Sequence, residues 1–153
     1  MPADNTLSII RAGVEDTERV APLFDAYRQF YKQPSDPTAA ASFLSERLCR
    51  SESVIFLAML GARPVGFTQL YPCFSSTAMK RMWILNDLFV APEARRTGVA
   101  EALMERARQW AVESNAENMW LETAVDNRTA QSLYEKLGWE KDDHYLRYNL
   151  WLK

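Results

Sequence analysis

The chain has 153 residues, 48% of them hydrophobic, which suits one compact domain with a full core. Its formal net charge of -2 gives no overall attraction to nucleic acid or to an anionic membrane, so we expect neither partner. Cys49, Cys73 and the single His144 match no standard zinc-binding spacing, and residues 1–10 do not resemble an export signal. We therefore predict a single domain over residues 1–153, a cytoplasmic location and no bound metal.

The first part of the chain predicts a strand followed by two helices. Residues Leu7–Ala12 are typical of a short strand, and Asp16 is a suitable cap for a helix that ends before Pro34. Apolar residues recur at helical spacing in this first helix: Val20, Leu23, Phe24, Tyr27, Phe30 and Tyr31. A second helix is expected over residues 38–49, after a break that contains two prolines.

Three β-rich runs follow, at residues 54–60, 65–71 and 82–90, and they predict three consecutive antiparallel strands that begin with a hairpin. From Gly98 an apolar stripe predicts a helix, and a strand at 119–125 completes about the length of a parallel crossover. Asn127 can cap a further helix that stops at Gly138, and strict alternation predicts a last strand at 146–152.

A local anomaly marks the start of the third helix. Arg95 and Arg96 stand where the helix dipole already carries positive partial charge, which is unfavourable unless an anion binds among them. Gly98 would let the backbone approach a ligand closely, and the first-turn N–H groups would point at it. The segment lacks the Gly-Lys-Ser/Thr of a nucleotide P-loop and the repeated glycines of a dinucleotide fingerprint. It predicts a different kind of phosphate site; the alternative is a solvated surface loop.

The segment from Arg95 to Ala100 resembles the pyrophosphate loop of the GNAT superfamily of N-acetyltransferases, Arg/Gln-x-x-Gly-x-Gly/Ala. The resemblance includes the preceding ILNDLFV at 84–90 and resumes in NRTAQSLYEKLGW at 127–139, close to the family's second signature. It is similar in particular to the branch of small polyamine, amino-acid and histone-tail acetyltransferases. It implies an α/β (α+β) fold, with a mixed central sheet of six to seven strands and about four helices on its faces.

The same resemblance implies acetyl-CoA as co-substrate. The residues that it assigns to the cofactor are Leu88, Phe89, Val90, Arg95, Arg96, Thr97, Gly98, Val99, Ala100, Asn127, Tyr134 and Lys136. Backbone N–H groups near Phe89 and Val90 would polarise the thioester carbonyl if the strand splays there through a bulge. Tyr134 would reprotonate the departing thiolate, whereas its apolar helical position alone predicts a core residue. Asn127 is equally well explained as a helix cap.

Amine attack on a thioester needs a proton acceptor, because an alkylammonium with a pKa of ~10 is almost wholly charged at neutral pH. We favour Asp87, directly or through a water, with Glu122 on the neighbouring strand as second choice. The alternative for Asp87 is a strand aspartate that only binds backbone at a bulge. By position, the resemblance places the acceptor beside aromatic residues that could equally be core: Tyr27, Phe30, Tyr31, Tyr71 and Trp83. Such rings would suit a cation.

The predicted function is direct transfer of an acetyl group, in a ternary complex, to a primary amine of a small molecule such as an amino acid or a polyamine-like amine. Two alternatives stay open: an acyl-CoA-binding regulatory module without turnover, and an acetyltransferase of a protein lysine or N terminus. The resemblance further implies a homodimer, because the alternating segment that ends at Leu152 would otherwise leave an apolar edge.

Overall fold

The computed structural model describes residues 4–153. The chain forms two compact units, one that ends at Glu122 and one that spans Thr123–Lys153. The first unit holds a sheet and three α-helices, and the second holds one α-helix. The single domain over the whole chain stays a prediction.

The sheet of the first unit has five strands in the order β1-β2-β3-β4-β5. Their bounds are Leu7–Ala12 (β1), Val54–Leu60 (β2), Arg63–Ser75 (β3), Lys80–Val90 (β4) and Met119–Trp120 (β5). Neighbouring strands are antiparallel except β4 and β5, which are parallel. The predicted hairpin, the three consecutive antiparallel strands and the mixed sheet are confirmed.

The four predicted α-helices are also present. They are Thr17–Phe30 (α1), Pro37–Cys49 (α2), Val99–Glu113 (α3) and Arg128–Lys136 (α4). Helix α2 begins at Pro37, where proline suits a first helical position, and Asp36 Oδ1 accepts the Ala39 backbone N–H at 3.1 Å. Asp16 stands at the N-cap of α1, but its Oδ2 accepts the Gly13 backbone N–H at 2.9 Å instead of an amide of the helix.

Helices cover both faces of the sheet. Helices α1 and α2 bury one face, with a core that includes Phe24, Leu44, Leu57, Phe67 and Phe89. Helix α3 lies against the other face, where the Trp110 ring contacts those of Phe56 and Trp83. A Cβ at Gly66 of β3 would lie 2.9 Å from the Phe89 carbonyl oxygen and 3.3 Å from Val99 Cγ1, so a side chain there would push α3 away.

The strand count is lower than predicted. The predicted strand at 119–125 is reduced to Met119–Trp120. Its pairing with β4 ends at Ile84, and two residues later a bulge at Asn86 interrupts β4. No strand forms at 146–152 within the described residues, where the apolar side chains are more than four-fifths exposed: Leu146, Tyr148, Leu150, Trp151 and Leu152. Alternation predicts a strand only where a partner edge is available.

Candidate active site

Asp87 lies in the middle of β4, beside the bulge. Gln69 of β3 pairs with Asp87 and Leu70 pairs with Leu85, which leaves Asn86 as the extra residue of β4. Asp87 shares the face of Phe89, two residues further along β4, which is the face covered by α1, and it is only 3% exposed. Gln69 Nε2 donates to Asp87 Oδ2 at 2.5 Å, and Asn86 Nδ2 donates to Asp87 Oδ1 at 2.9 Å. Two neutral amides therefore hold a buried carboxylate that has no cationic partner among the described residues.

This environment changes the acidity of three groups. Burial raises the pKa of Asp87, although the hydrogen bonds from Gln69 and Asn86 act in the opposite direction. Burial, followed by the negative charge of Asp87, raises the pKa of Tyr27 and the pKa of Tyr71. Both phenols therefore stay protonated, and Asp87 binds a proton more strongly than an exposed aspartate. These are the properties of a candidate proton acceptor.

One buried acceptor beside Asp87 has no partner. Gln69 is fully buried, and its Oε1 makes no hydrogen bond within the described part of the chain, while its Nε2 is used by Asp87. Buried polar atoms are almost always paired, so an unpaired oxygen next to a carboxylate indicates a position for an N–H donor. An amine or ammonium group fits both oxygens chemically.

An aromatic row leads from this cluster to the surface. The Tyr27 ring contacts those of Phe67, Phe89 and Tyr31, at centroid distances of 5.9, 6.3 and 5.0 Å. The Tyr31 ring continues to Phe30 at 5.3 Å, and these last two residues at the end of α1 are more than half exposed. Tyr27 Oη donates to the Asn86 carbonyl at 3.3 Å. Four of the five predicted acceptor residues therefore belong to the α1 face: Tyr27, Phe30, Tyr31 and Tyr71.

Trp83 lies elsewhere. It is 4% exposed beneath α3 on the opposite face of the sheet, where its Nε1 donates to Ser114 Oγ at 2.8 Å. Successive residues of β4 face opposite sides of the sheet, and the extra residue at Asn86 shifts this alternation by one position. Trp83 and Asp87 therefore lie on opposite faces, although they are four residues apart. Trp83 therefore does not share the α1 face with the other four predicted acceptor residues. Glu122 was predicted to lie on the strand next to β4, but it is exposed and lies two residues beyond the end of β5.

The arginine-rich loop connects the end of β4 to α3. A 3-10 turn, Pro92–Ala94, precedes Arg95, whose Nε donates to the Val90 carbonyl at 2.9 Å. The Arg95 guanidinium also lies 5.6 Å from the Phe89 ring centroid, and Arg96 has a φ of 63°. The Thr97 hydroxyl donates to the Ala94 carbonyl at 2.5 Å, which closes the turn. The loop is thus fastened to the end of β4.

Gly98 is the N-cap residue of α3 and adopts a left-handed conformation, with φ +84°. A Cβ on it would meet no atom within 4 Å, so the space in front of the helix start is open. The first-turn N–H groups of α3, from Val99 and Ala100 onward, have no i-4 carbonyl within the helix. Any L-residue at Gly98 would be strained by this φ, although the space around it is open.

The backbone of Leu88, Phe89 and Val90 pairs in unbroken register with Thr68, Phe67 and Gly66 of β3. The sequence predicted a bulge near Phe89 and Val90, but the bulge lies at Asn86. On its other side β4 pairs with β5 only at Trp83 and Ile84. Within the described residues, the edge of β4 from Leu85 to Val90 has no strand partner. A thioester carbonyl polarised by N–H groups on this edge stays a prediction.

The remaining predicted residues belong to the second unit. Asn127 Oδ1 accepts the Ala130 backbone N–H at 3.2 Å, so Asn127 caps α4 as predicted. Tyr134 is partly buried on α4, with its ring 6.4 Å from the Trp139 ring, and Lys136 is exposed in the last turn. Gly138 follows the helix with φ +92°, which confirms it as the stop signal.

Residues 19–139 match the family model described as the acetyltransferase (GNAT) family. The chain belongs to the GNAT family of acetyltransferases. It is 46% identical over 144 residues to the uncharacterized N-acetyltransferase YhfO of Bacillus subtilis, covering 94% of this chain and 97% of that protein. A crystal structure of a probable acetyltransferase superposes with a TM-score of 0.91 at 46% identity, over 95% of this chain and 98% of the other.

A second solved structure shares the GNAT fold at lower identity. An aminoglycoside N-acetyltransferase in complex with CoA superposes with a TM-score of 0.80 at 21% identity, over 98% of each chain. Its family and its named relatives make the chain an N-acetyltransferase, and the GNAT family uses acetyl-CoA. In the described part of this GNAT enzyme, no helix could cross a membrane, and no three His, Cys, Asp or Glu side chains are grouped to hold a metal ion.

Sequence reasoning about this GNAT enzyme missed Gln69. Its signal was a pair of polar residues, Thr68 and Gln69, inside the apolar strand at 65–71. Both are fully buried, and Thr68 Oγ1 donates to the Asp87 carbonyl oxygen at 2.8 Å. Consecutive polar residues in a buried strand must find partners, and here both do so at Asp87.

Proposed function

We propose that the chain transfers the acetyl group of acetyl-CoA directly to the primary amine of a small molecule, such as an amino acid or a polyamine-like amine, within a ternary complex. The single observation that carries this proposal is the buried Asp87 carboxylate beside the unpaired Gln69 Oε1. Together they offer a base and an acceptor to one N–H-bearing group, with an aromatic row leading to them.

The loop that ends at Gly98 is the proposed site of the CoA pyrophosphate. Its support is the open space at Gly98 together with the cationic side chains of Arg95 and Arg96 at the start of α3. A side chain at Gly98 would fill the position that a phosphate needs. Arg95 is fastened to Val90, so it would act mainly as a nearby positive charge, whereas Arg96 carries no ion pair within the described residues.

The proposed chemistry assigns one proton to each of two residues. The neutral amine nitrogen attacks the thioester carbonyl carbon, and Asp87 takes the proton that the nitrogen loses, directly or through a water. Breaking the carbon–sulfur bond leaves a thiolate, and Tyr134 gives it a proton. A pKa raised by burial makes Asp87 a stronger base than an ordinary carboxylate. Glu122 stays the second choice for the base.

The acceptor class can be tested with a panel that separates small amines from proteins. Thiol release from acetyl-CoA would be measured with amino acids, diamines, an aminoglycoside, a peptide with a free N terminus, and an N-terminally blocked peptide that contains lysine. We expect the highest kcat/KM among the small amines. Turnover with the peptides alone would replace this proposal with protein acetylation. Thermal protection by acetyl-CoA without thiol release would indicate a binding module instead.

A further inference from the structure

A cavity of about 610 Å³ lies at the end of the sheet opposite the Arg95–Gly98 loop. It is bounded by the end of β1, the start of β2, the start of β4 and the last turn of α3. All of these belong to the unit that ends at Glu122. A cavity of this volume is within the range of small-molecule sites, and no step of the proposed acetyl transfer uses it.

Two arginines in the cavity wall lie over aromatic rings. Arg11 Cζ is 4.4 Å from the Trp110 ring centroid. Arg81 Cζ is 5.1 Å from the Phe74 ring centroid and 5.3 Å from that of Trp83. The two indoles contact each other at 5.9 Å. A guanidinium held over a ring face can still direct N–H groups at a carboxylate or a phosphate. Neither arginine has an ion pair or a side-chain hydrogen bond within the described residues.

Two buried polar atoms of the same wall also lack partners. Ser53 Oγ and Trp110 Nε1 make no hydrogen bond within residues 4–153. Both atoms are buried, and Ser53 as a whole is only 6% exposed. Trp83 provides a contrast, because its Nε1 donates to Ser114 Oγ. Buried donors are rarely left unpaired, so two such atoms beside one cavity indicate a ligand that accepts hydrogen bonds after small rotations of their side chains.

Two features of the wall oppose an anion. Glu15 contributes a negative charge, and the carbonyl end of the α3 dipole faces this side of the sheet. Ser114 Oγ reduces the second effect, because it donates to the carbonyl oxygens of Trp110 and Ala111. The two guanidinium groups outnumber the single carboxylate, so the balance favours an anion at the arginines.

We propose that this cavity is a second ligand site, which binds a small carboxylate or phosphate anion between Arg11 and Arg81, with hydrogen bonds from Trp110 Nε1 and Ser53 Oγ. The site is separate from the acetyl-CoA site and does not depend on it. Its ligand is recognised by negative charge and planar or tetrahedral oxygen acceptors, and the flanking indoles restrict its size.

The experiment follows the indole and backbone N–H resonances of the whole chain by NMR during titration with inorganic phosphate and, separately, with malonate. The Trp110 resonance is assigned by its loss in Trp110→Phe. We expect it to shift saturably with at least one anion, and the anion that shifts it identifies the ligand chemistry. Arg11→Gln/Arg81→Gln should weaken binding by about tenfold or more, because hydrogen bonds to charged groups are lost. The control is Arg63→Gln, an exposed arginine outside the cavity that pairs with Glu93 at 3.8 Å, and it should bind as the wild type does.

Three results would overturn the proposal. The Trp110 resonance does not move with either anion; it moves equally in the double variant; or phosphate shifts only the Gly98 amide, which places the anion at the loop alone. If the double variant does not fold, Arg81→Gln provides the same comparison with a smaller loss. None of these outcomes requires acetyltransferase turnover, so failure here is distinct from failure of the proposed function.

Discussion

Replacement of the Asp87 carboxylate by an amide tests the proposed base. In Asp87→Asn only Oδ1 can accept, so one of the two bonds from Gln69 and Asn86 is lost, at a cost of about 1.5–3 kcal/mol. Removal of a buried charge offsets much of this loss. We therefore expect the free energy of unfolding at pH 7 to stay within about 2 kcal/mol of the wild-type value. Turnover should fall by about 10²-fold or more if Asp87 accepts the proton.

The pH dependence of stability gives an independent readout for the same variant. Burial raises the pKa of Asp87 in the folded state, so the ionised carboxylate disfavours folding above that pKa. This cost disappears as the pH falls through the folded-state pKa toward about 4, which is the pKa of an aspartate in the unfolded chain. The stability of Asp87→Asn relative to the wild type should therefore rise with pH across this window and then level off. Urea unfolding at several pH values measures it.

Asp25→Asn is the matched control, because Asp25 is also a buried carboxylate held by hydrogen bonds, from Ser35, Gln29 and the Asp36 backbone N–H. These bonds lower the pKa of Asp25, led by that from Ser35. Its contribution to stability is present above the unfolded-state pKa and is lost as the pH falls through the lower folded-state pKa. Asp25→Asn should therefore destabilise at neutral pH and keep wild-type kcat. Wild-type kcat in Asp87→Asn, with chemistry rate-limiting, would refute Asp87 as the base.

Three further predictions concern the loop, the acid and the assembly. Gly98→Ala should lower CoA affinity by about tenfold or more in calorimetry. The control Gly138→Ala should bind CoA normally, because Gly138 also has a positive φ and open space around its Cβ position. Equal CoA affinities of the two variants would remove the loop assignment. Tyr134→Phe should lower kcat by about 10²-fold with little change in CoA affinity, and the loss of kcat should be smaller with a more acidic leaving thiol. The control Tyr148→Phe, at an exposed tyrosine, should keep the wild-type kcat. A near-normal kcat in Tyr134→Phe would make Tyr134 a packing residue. Sedimentation at micromolar concentration should give twice the 17.6 kDa chain mass, and Trp151→Asp should give the monomer; a monomeric wild type would contradict the proposed dimer.

The sequence predicted the elements that carry their own local signals. Helix α3 has a continuous apolar stripe and a glycine at its start, and the hairpin of β2 and β3 has a turn sequence between two β-rich runs. The cap at Asn127 and the stop at Gly138 are likewise local, because each depends on the conformation of one residue. Such features need no knowledge of distant contacts.

Features that depend on pairing were predicted less well. The strand at 146–152 was expected from alternation, but alternation does not specify which edge accepts the strand. The bulge was expected near Phe89 and lies at Asn86, because its position depends on how β3 and β4 are matched in register. The same register brings Gln69 to Asp87 and sends Trp83 to the other face. One shift in pairing therefore determines which side chains can share the site.

The most direct test of acetyl transfer by this chain is rapid mixing with acetyl-CoA, with and without a saturating small amine. Thiol release is followed, and the acetylated product is identified by mass spectrometry. Direct transfer predicts release of CoA only when the amine is present, with the acetyl group recovered on the amine nitrogen and none on the protein. Tight binding of acetyl-CoA with no thiol release for any amine, or a burst of CoA before amine is added, would contradict direct transfer by this chain.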